Sequence, residues 1–184
     1  MARVIAETKS PAGCADAEIA AFCCYVRQGG EVESAGLEDR VRDARALVFV
    51  YVDRALVGVA ALKRPSATHR DGKFSAAGVS AIKSRYGLEL GWVFVPPEHR
   101  GKGYSHTLVT AAMSPADNAP VFATTRADNA AMHRGLERTG FVRAGKSWKS
   151  KRGEYELVLY VAPPPPNNEY LDSSGQVKKR VRSR

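Results

Sequence analysis

Residues 88–113, LELGWVFVPPEHRGKGYSHTLVTAAM, constrain the fold of this chain more than any other stretch. They begin with strand-type residues, Trp92, Val93, Phe94 and Val95, and then meet Pro96-Pro97. Proline has no backbone N–H, so a central strand cannot run through that pair. Arg100-Gly101-Lys102-Gly103 follows, and apolar residues then return at helical spacing at Tyr104, Leu108 and Ala112. The expected arrangement is strand, short glycine-containing loop, helix. Such a junction favours anions. The first N–H groups of a helix lack partners, the dipole places partial positive charge there, and glycines let a ligand approach the backbone. Arg100 and Lys102 add formal charge at the same place.

The rest of the chain reads as a mixed α/β domain. Residues 3–7 form a short first strand. From 16 to 27, Ile19, Phe22, Cys23 and Val26 recur at the spacing of an amphipathic helix, which stops at Gly29-Gly30. After the loop GGEVES, a second helix carries Leu37, Val41 and Ala44 on one face. Residues 47–52 and 55–63 read as an antiparallel hairpin turning at Asp53-Arg54, without the glycine that usually marks such a turn. Residues 65–87 show no period and read as an irregular insert, the kind of segment that carries either substrate recognition or a surface loop. After the central junction come a linker (114–120), a strand (121–125), a helix (129–139) stopped by Gly140, and two strands (141–149 and 154–161) around the turn SKRG. Strands alternating with helices, with a hairpin at each end, indicate a mixed sheet. Residues 1–162 make this one domain. Residues 163–166 are a proline spacer, and the remainder to 184 is expected to be a basic, disordered tail.

Composition sets bounds on function. With 184 residues, 44% hydrophobic and 26% charged, the chain resembles an ordinary soluble globular protein. It has no apolar run of membrane-spanning length, and its first residues lack the continuous apolar core of a signal peptide. Cys14, Cys23 and Cys24 show no CxxC spacing and read as reduced thiols, which points to a cytoplasmic protein. His69, His99, His106 and His133 show no metal-ligand pattern, so no metal is expected. The net charge of +9 fits a nucleic acid, an acidic ligand or solubility alone. Lys178, Lys179, Arg180, Arg182 and Arg184 concentrate part of it in the tail, and Lys146, Lys149, Lys151 and Arg152 near the last hairpin.

The loop after the central strand lacks the P-loop pattern and the third glycine of a dinucleotide fingerprint. It resembles instead the pyrophosphate loop of the GNAT superfamily of acyl-CoA-dependent N-acetyltransferases, Gln/Arg-x-x-Gly-x-Gly/Ala. Arg100, Gly103 and Ser105 stand at the signature positions, Ser105 departing from the usual Gly or Ala. The segment NAAMHRGLERTGF is similar to a second hallmark, with Asn129 opening a helix and Gly140-Phe141 closing it. The resemblance covers most of residues 3–161 in element order. It implies a mostly antiparallel sheet with splayed central strands, flanked by helices, and transfer of an acetyl group from acetyl-CoA to an amine.

The resemblance also implies roles. Main-chain groups of Phe94 and Val95 would pair with the pantetheine arm. Backbone N–H groups across Arg100, Gly101, Lys102, Gly103, Tyr104 and Ser105 would hold the pyrophosphate, and Asn129 would also contact CoA. The amine must attack in its neutral form, so a base is needed. Glu89 is the only acid in an apolar strand, on the same alternation as Val93 and Val95, and burial there would favour its protonated form. The alternative is a strand-end Glu that faces solvent or pairs with Arg85 or Arg100. The family often has a Tyr five residues before the Gly-Phe phenylalanine, as acid to the leaving thiolate; this chain has Leu136. His133 or Tyr104 could replace it. A thiol of ordinary pKa, about 8.5, is also a tolerable leaving group unaided. Glu31 and Glu33 could meet a cationic amine, and Phe74, Tyr86 and Trp148 either line a groove or pack a core.

Within this reading the acceptor is a small amine, a protein amine or the amino group of an aminoacyl-tRNA, and a homodimer stays open. The other classes are a non-catalytic acyl-CoA-binding regulatory module and a nucleic-acid-binding protein that uses its tail, for which no motif speaks.

Overall fold

The computed structural model describes residues 3–162, 169–171 and 177–179. Its architecture is mixed α/β with a seven-stranded, mostly antiparallel sheet. The chain divides into two compact units, Met1–Arg64 with Leu90–Asp117, and Pro65–Glu89 with Asn118–Arg184.

The first unit contains β1 (Val4–Lys9), α1 (Asp16–Gln28), α2 (Leu37–Arg42), β2 (Ala46–Val52) and β3 (Ala55–Lys63). It also holds all but the start of β4 (Leu88–Phe94), and its strands run in the order β1-β2-β3-β4. β2 pairs antiparallel with both neighbours, with Thr8 opposite Val48 and Phe49 opposite Val59. Residues 46–50 are all buried, because both faces of the sheet are covered; the continuous apolar run of β2 has that cause. On one face lie Ile19, Phe22, Cys23 and Val26 of α1 with Leu37 and Val41 of α2, packed against Leu47, Phe49 and Val59. The four α1 positions expected from the helical period are the four that are buried. Each such large side chain removed from water contributes about 1.5–3 kcal/mol. A further helix of this unit, residues 104–113, packs along β1, β2 and β3 through Leu108, Val109 and Ala112. The β2–β3 turn forms without glycine: Asp53 (φ 47°) and Arg54 (φ 71°) both take the left-handed conformation of a tight hairpin. Asp53 Oδ1 accepts from the Arg3 N–H at 3.0 Å, which ties the turn to the start of the described chain.

The second unit contains α3 (Ala67–Ala76), β5 (Val121–Arg126), α5 (Ala130–Arg138), β6 (Val142–Lys149) and β7 (Glu156–Ala162), α4 being the 104–113 helix of the first unit. Its strands run β5-β7-β6, so the last strand of the domain lies between the other two, antiparallel to both. Phe74, Tyr86 and Phe122 form its aromatic centre, with Phe74 5.3 Å from each of the other two rings. Phe74 and Tyr86 are therefore core residues rather than groove linings.

The insert at 65–87 is not irregular. It forms α3 and a 3-10 helix, Ser80–Arg85. Ser66 caps α3 through its hydroxyl, which accepts from the His69 N–H at 3.2 Å. The helix escapes a reading by period because Phe74 is its only buried residue, and Asp71-Gly72 inside it resembles a turn.

Of the tail, residues 163–168, 172–176 and 180–184 lie outside the described residues. Two short strands that the periodicity does not signal, β8 (Glu169–Leu171) and β9 (Val177–Lys179), pair antiparallel. The three cysteines are unbridged; burial pushes the Cys23 thiol above its ordinary pKa. No helix among the described residues is long and apolar enough to cross a membrane.

Candidate functional site

β4 contains one residue that a regular strand would not tolerate. Trp92 has φ 52°, a conformation rare for a bulky side chain and typical of places where a strand bulges. The surroundings hold it there: its ring lies 6.1 Å from the Phe22 ring and 5.0 Å from Lys63 Nζ. The simple alternation that groups Glu89 with Val93 and Val95 is therefore broken. Glu89 and Leu90 are both buried, although they are neighbours in a strand.

Glu89 is 4% exposed, one of two polar residues in the described core. A carboxylate is not buried without partners. Its Oε2 lies 3.1 Å from Nε2 of His69, on the first turn of α3. His69 has no signal of its own in the sequence, because its segment has no readable period.

After β4 the chain makes a short 3-10 turn, Pro97–His99, and reaches the loop. Gly101 (φ 78°) and Gly103 (φ 82°) are both left-handed, and Gly103 is the N-cap of α4 (Tyr104–Met113). No side chain caps this helix, and residues 100–103 are exposed. The Gly103 carbonyl accepts from the N–H groups of His106 and Thr107 at 3.0 and 3.3 Å. Among the described residues, no main-chain carbonyl accepts from the N–H groups of residues 101–105. A row of unengaged donors at a helix N-terminus, beside Arg100 and Lys102, is the electrostatic environment of a phosphate site. Nδ1 of His106, in the first turn of α4, is buried and without a hydrogen-bond partner among the described residues. Sequence reasoning gives it no role.

The Val95 carbonyl accepts from Arg100 Nε at 3.0 Å and keeps a second lone pair. The bond also ties the Arg100 side chain back to the end of the strand.

The candidates for a general acid divide. Leu136 is fully buried and has no proton to give. His133 Nε2 is 3.0 Å from the Arg126 carbonyl, and its ring lies 5.5 Å from that of Tyr160, so it fastens α5 to the end of β5. The Tyr160 hydroxyl donates to Glu137 Oε1 at 3.2 Å, and burial, then the charge of Glu137, raise its pKa above the ordinary tyrosine value. Tyr104 is half-buried at the first position of α4. Asn129 caps α5, its Oδ1 accepting from the Met132 N–H at 3.1 Å. Among the described residues, no three His, Cys, Asp or Glu side chains converge in a way that could hold a metal ion.

Solved structures share this fold. An acyl-CoA N-acyltransferase from Pseudomonas aeruginosa aligns with a TM-score of 0.60 at 17% identity, over 88% of this chain and 100% of that one. The protein yncA of Salmonella typhimurium, solved with its cofactor acetyl-CoA, gives 0.59 at 17% identity, over 88% and 97%. FeeM, an N-acyl amino acid synthase from uncultured soil microbes, gives 0.67 at 13% identity, over 90% and 93%. No curated protein matches the sequence. Residues 18–141 match the Acetyltransferase (GNAT) family, a span that runs from within α1 through the β4 loop and α5. The chain belongs to the GNAT acetyltransferase family.

Proposed function

We propose that this protein transfers an acetyl group from acetyl-CoA to a primary amine, with Glu89 as the base. The observation that carries the reading is the loop at 100–105. Its two left-handed glycines, uncapped helix N-terminus and paired basic side chains form an anion cradle at the end of β4. Acetyl-CoA would supply an acyl group activated as a thioester. The N–H groups of residues 101–105 would hold its pyrophosphate, with Arg100 and Lys102 adding charge. The main-chain groups of Phe94 and Val95 would pair with the amides of its pantetheine arm. For Asn129, the family resemblance alone supports a role with CoA.

An amine arrives at neutral pH as an ammonium ion and must lose a proton before its lone pair can attack. Glu89 would take it; its burial and the 3.1 Å contact of its Oε2 with His69 support that role. As the C–N bond forms and the C–S bond breaks, the nitrogen sheds a second proton. One of the two protons ends on the sulfur and the other in water. With Leu136 buried at the position of the family's usual acid, the thiolate would leave unaided or take its proton from His133 or Tyr104.

Glu89→Gln keeps the shape of the side chain and removes the base. It should leave the Kd for CoA within about twofold of wild type and lower kcat by about 100-fold. Calorimetry and a steady-state assay on an amine panel measure both. A variant with wild-type kinetics across pH removes Glu89 from the mechanism. A second reading, an acyl-CoA-binding module without turnover, is favoured by Leu136, since the family's usual acid is missing. CoA binding with no transfer to any amine in the panel would decide for it.

A further inference from the structure

We infer that His69 is the positioning residue for Glu89: Nε2–H donates to Oε2 and orients the carboxylate that receives the proton of the incoming amine. The inference rests on the proposed acetyl transfer and adds to it a residue from the insert.

The geometry is local and specific. The pair is 3.1 Å apart, with the Glu89 side chain 5% exposed and the His69 side chain 42% exposed. The imidazole thus bridges a carboxylate withdrawn from water and the solvent side of α3. Its backbone is fixed independently, since the His69 N–H donates to the Ser66 cap. A hydrogen bond from a ring N–H to a carboxylate is charge-assisted, stronger than a neutral one, and favours the ionised form that a base requires. Holding one oxygen also removes the freedom of the carboxyl group to rotate, which is how a base is oriented.

Other charged groups stand nearby in the fold. α3 carries Arg70, Asp71 and Lys73; the 3-10 helix beside it carries Lys83 and Arg85; β6, which also packs on α3, carries Arg143, Lys146 and Lys149. Asp71, the only other acid among them, is bonded to Lys83 Nζ and Arg70 Nε at 2.9 Å each. Those bonds, that to Lys83 first, hold its pKa below the usual aspartate value. Asp71 is therefore already neutralised by its own partners and does not compete with Glu89 for His69.

The test compares His69→Ala and His69→Gln with wild type in the full chain. Both keep the backbone N–H that Ser66 caps, and the side chain they replace is partly exposed, so folding should persist; circular dichroism and an unchanged CoA affinity check this. His69→Ala is expected to lower kcat at least tenfold with KM for acetyl-CoA unchanged. The acid limb of its kcat/KM profile should move to higher pH, because a carboxylate that loses a hydrogen-bond donor holds its proton more tightly. His69→Gln, which offers an amide N–H, should recover part of the rate and of the profile. His69→Ala with wild-type kcat and pH profile, alongside an impaired Glu89→Gln, overturns the role of His69 and leaves the acetyl transfer intact. A wild-type protein that binds no acetyl-CoA or acetylates no amine overturns both.

Discussion

Gly145→Ala is expected to destabilise the protein by about 3 kcal/mol or more. Gly145 stands where β6 slips register against β7, between Ala144 and Trp148, with φ 69°. The left-handed conformation alone costs an alanine about 1–2 kcal/mol. The added Cβ would also fall 2.1 Å from the Ala77 carbonyl oxygen, a main-chain atom that cannot swing aside. That oxygen accepts from the Lys146 N–H at 3.0 Å, so relieving the clash pulls apart the bond joining the bulge to the end of α3. Loss of a partly buried hydrogen bond adds about 1 kcal/mol, and overpacking adds about 1–3 kcal/mol. Urea denaturation of the purified variant measures the loss directly. A midpoint equal to that of wild type would mean that β6 and α3 are not joined at this point.

Gly103→Glu should lower the affinity for CoA by about 100-fold or more while leaving the protein folded. No atom lies within 4 Å of the position a Cβ would take at Gly103, so the side chain has room. The fold bears only the cost of φ 82°, about 1–2 kcal/mol for any L-residue. What changes is the ligand side: a carboxylate would stand at the helix N-terminus where a phosphate is to sit. Gly103→Ala separates the two effects, since it carries the same backbone strain without the charge. It should lose less than about tenfold in affinity. Equal losses in the two variants would mean that strain in the loop, and not repulsion, is responsible. Unchanged affinity in Gly103→Glu would remove the loop from the site.

Legibility in the sequence followed the range of the interactions involved. α1 could be read because Ile19, Phe22, Cys23 and Val26 face a single core, and all four are buried. The β4–loop–α4 junction could be read because proline and glycine act on their own backbone and need no distant partner. α3 could not, with one buried anchor and a turn-like pair in its middle. The placing of β7 between β5 and β6 was invisible for a different reason, as local pattern says nothing of which strand pairs with which. Within the candidate site, Glu89 stood out as an acid among apolar residues, but its partner did not. His69 meets it only because α3 folds as a helix, and the helix was the unread element. The contact of His133 with the Arg126 carbonyl was likewise unreadable, because it joins a helix to the end of a strand that local pattern does not bring together. Trp92 carries a conformation no pattern announces, since it is imposed by packing against Phe22 and Lys63.

Titration calorimetry of the full chain with acetyl-CoA and with CoA, at low and at physiological salt, tests the central claim most directly. A cradle of backbone donors and a strand-edge contact should give saturable, one-to-one binding that weakens with salt but persists at physiological ionic strength. No heat with either compound, or binding that disappears once salt is raised, would contradict the acyl-CoA site and the acetyl transfer built on it.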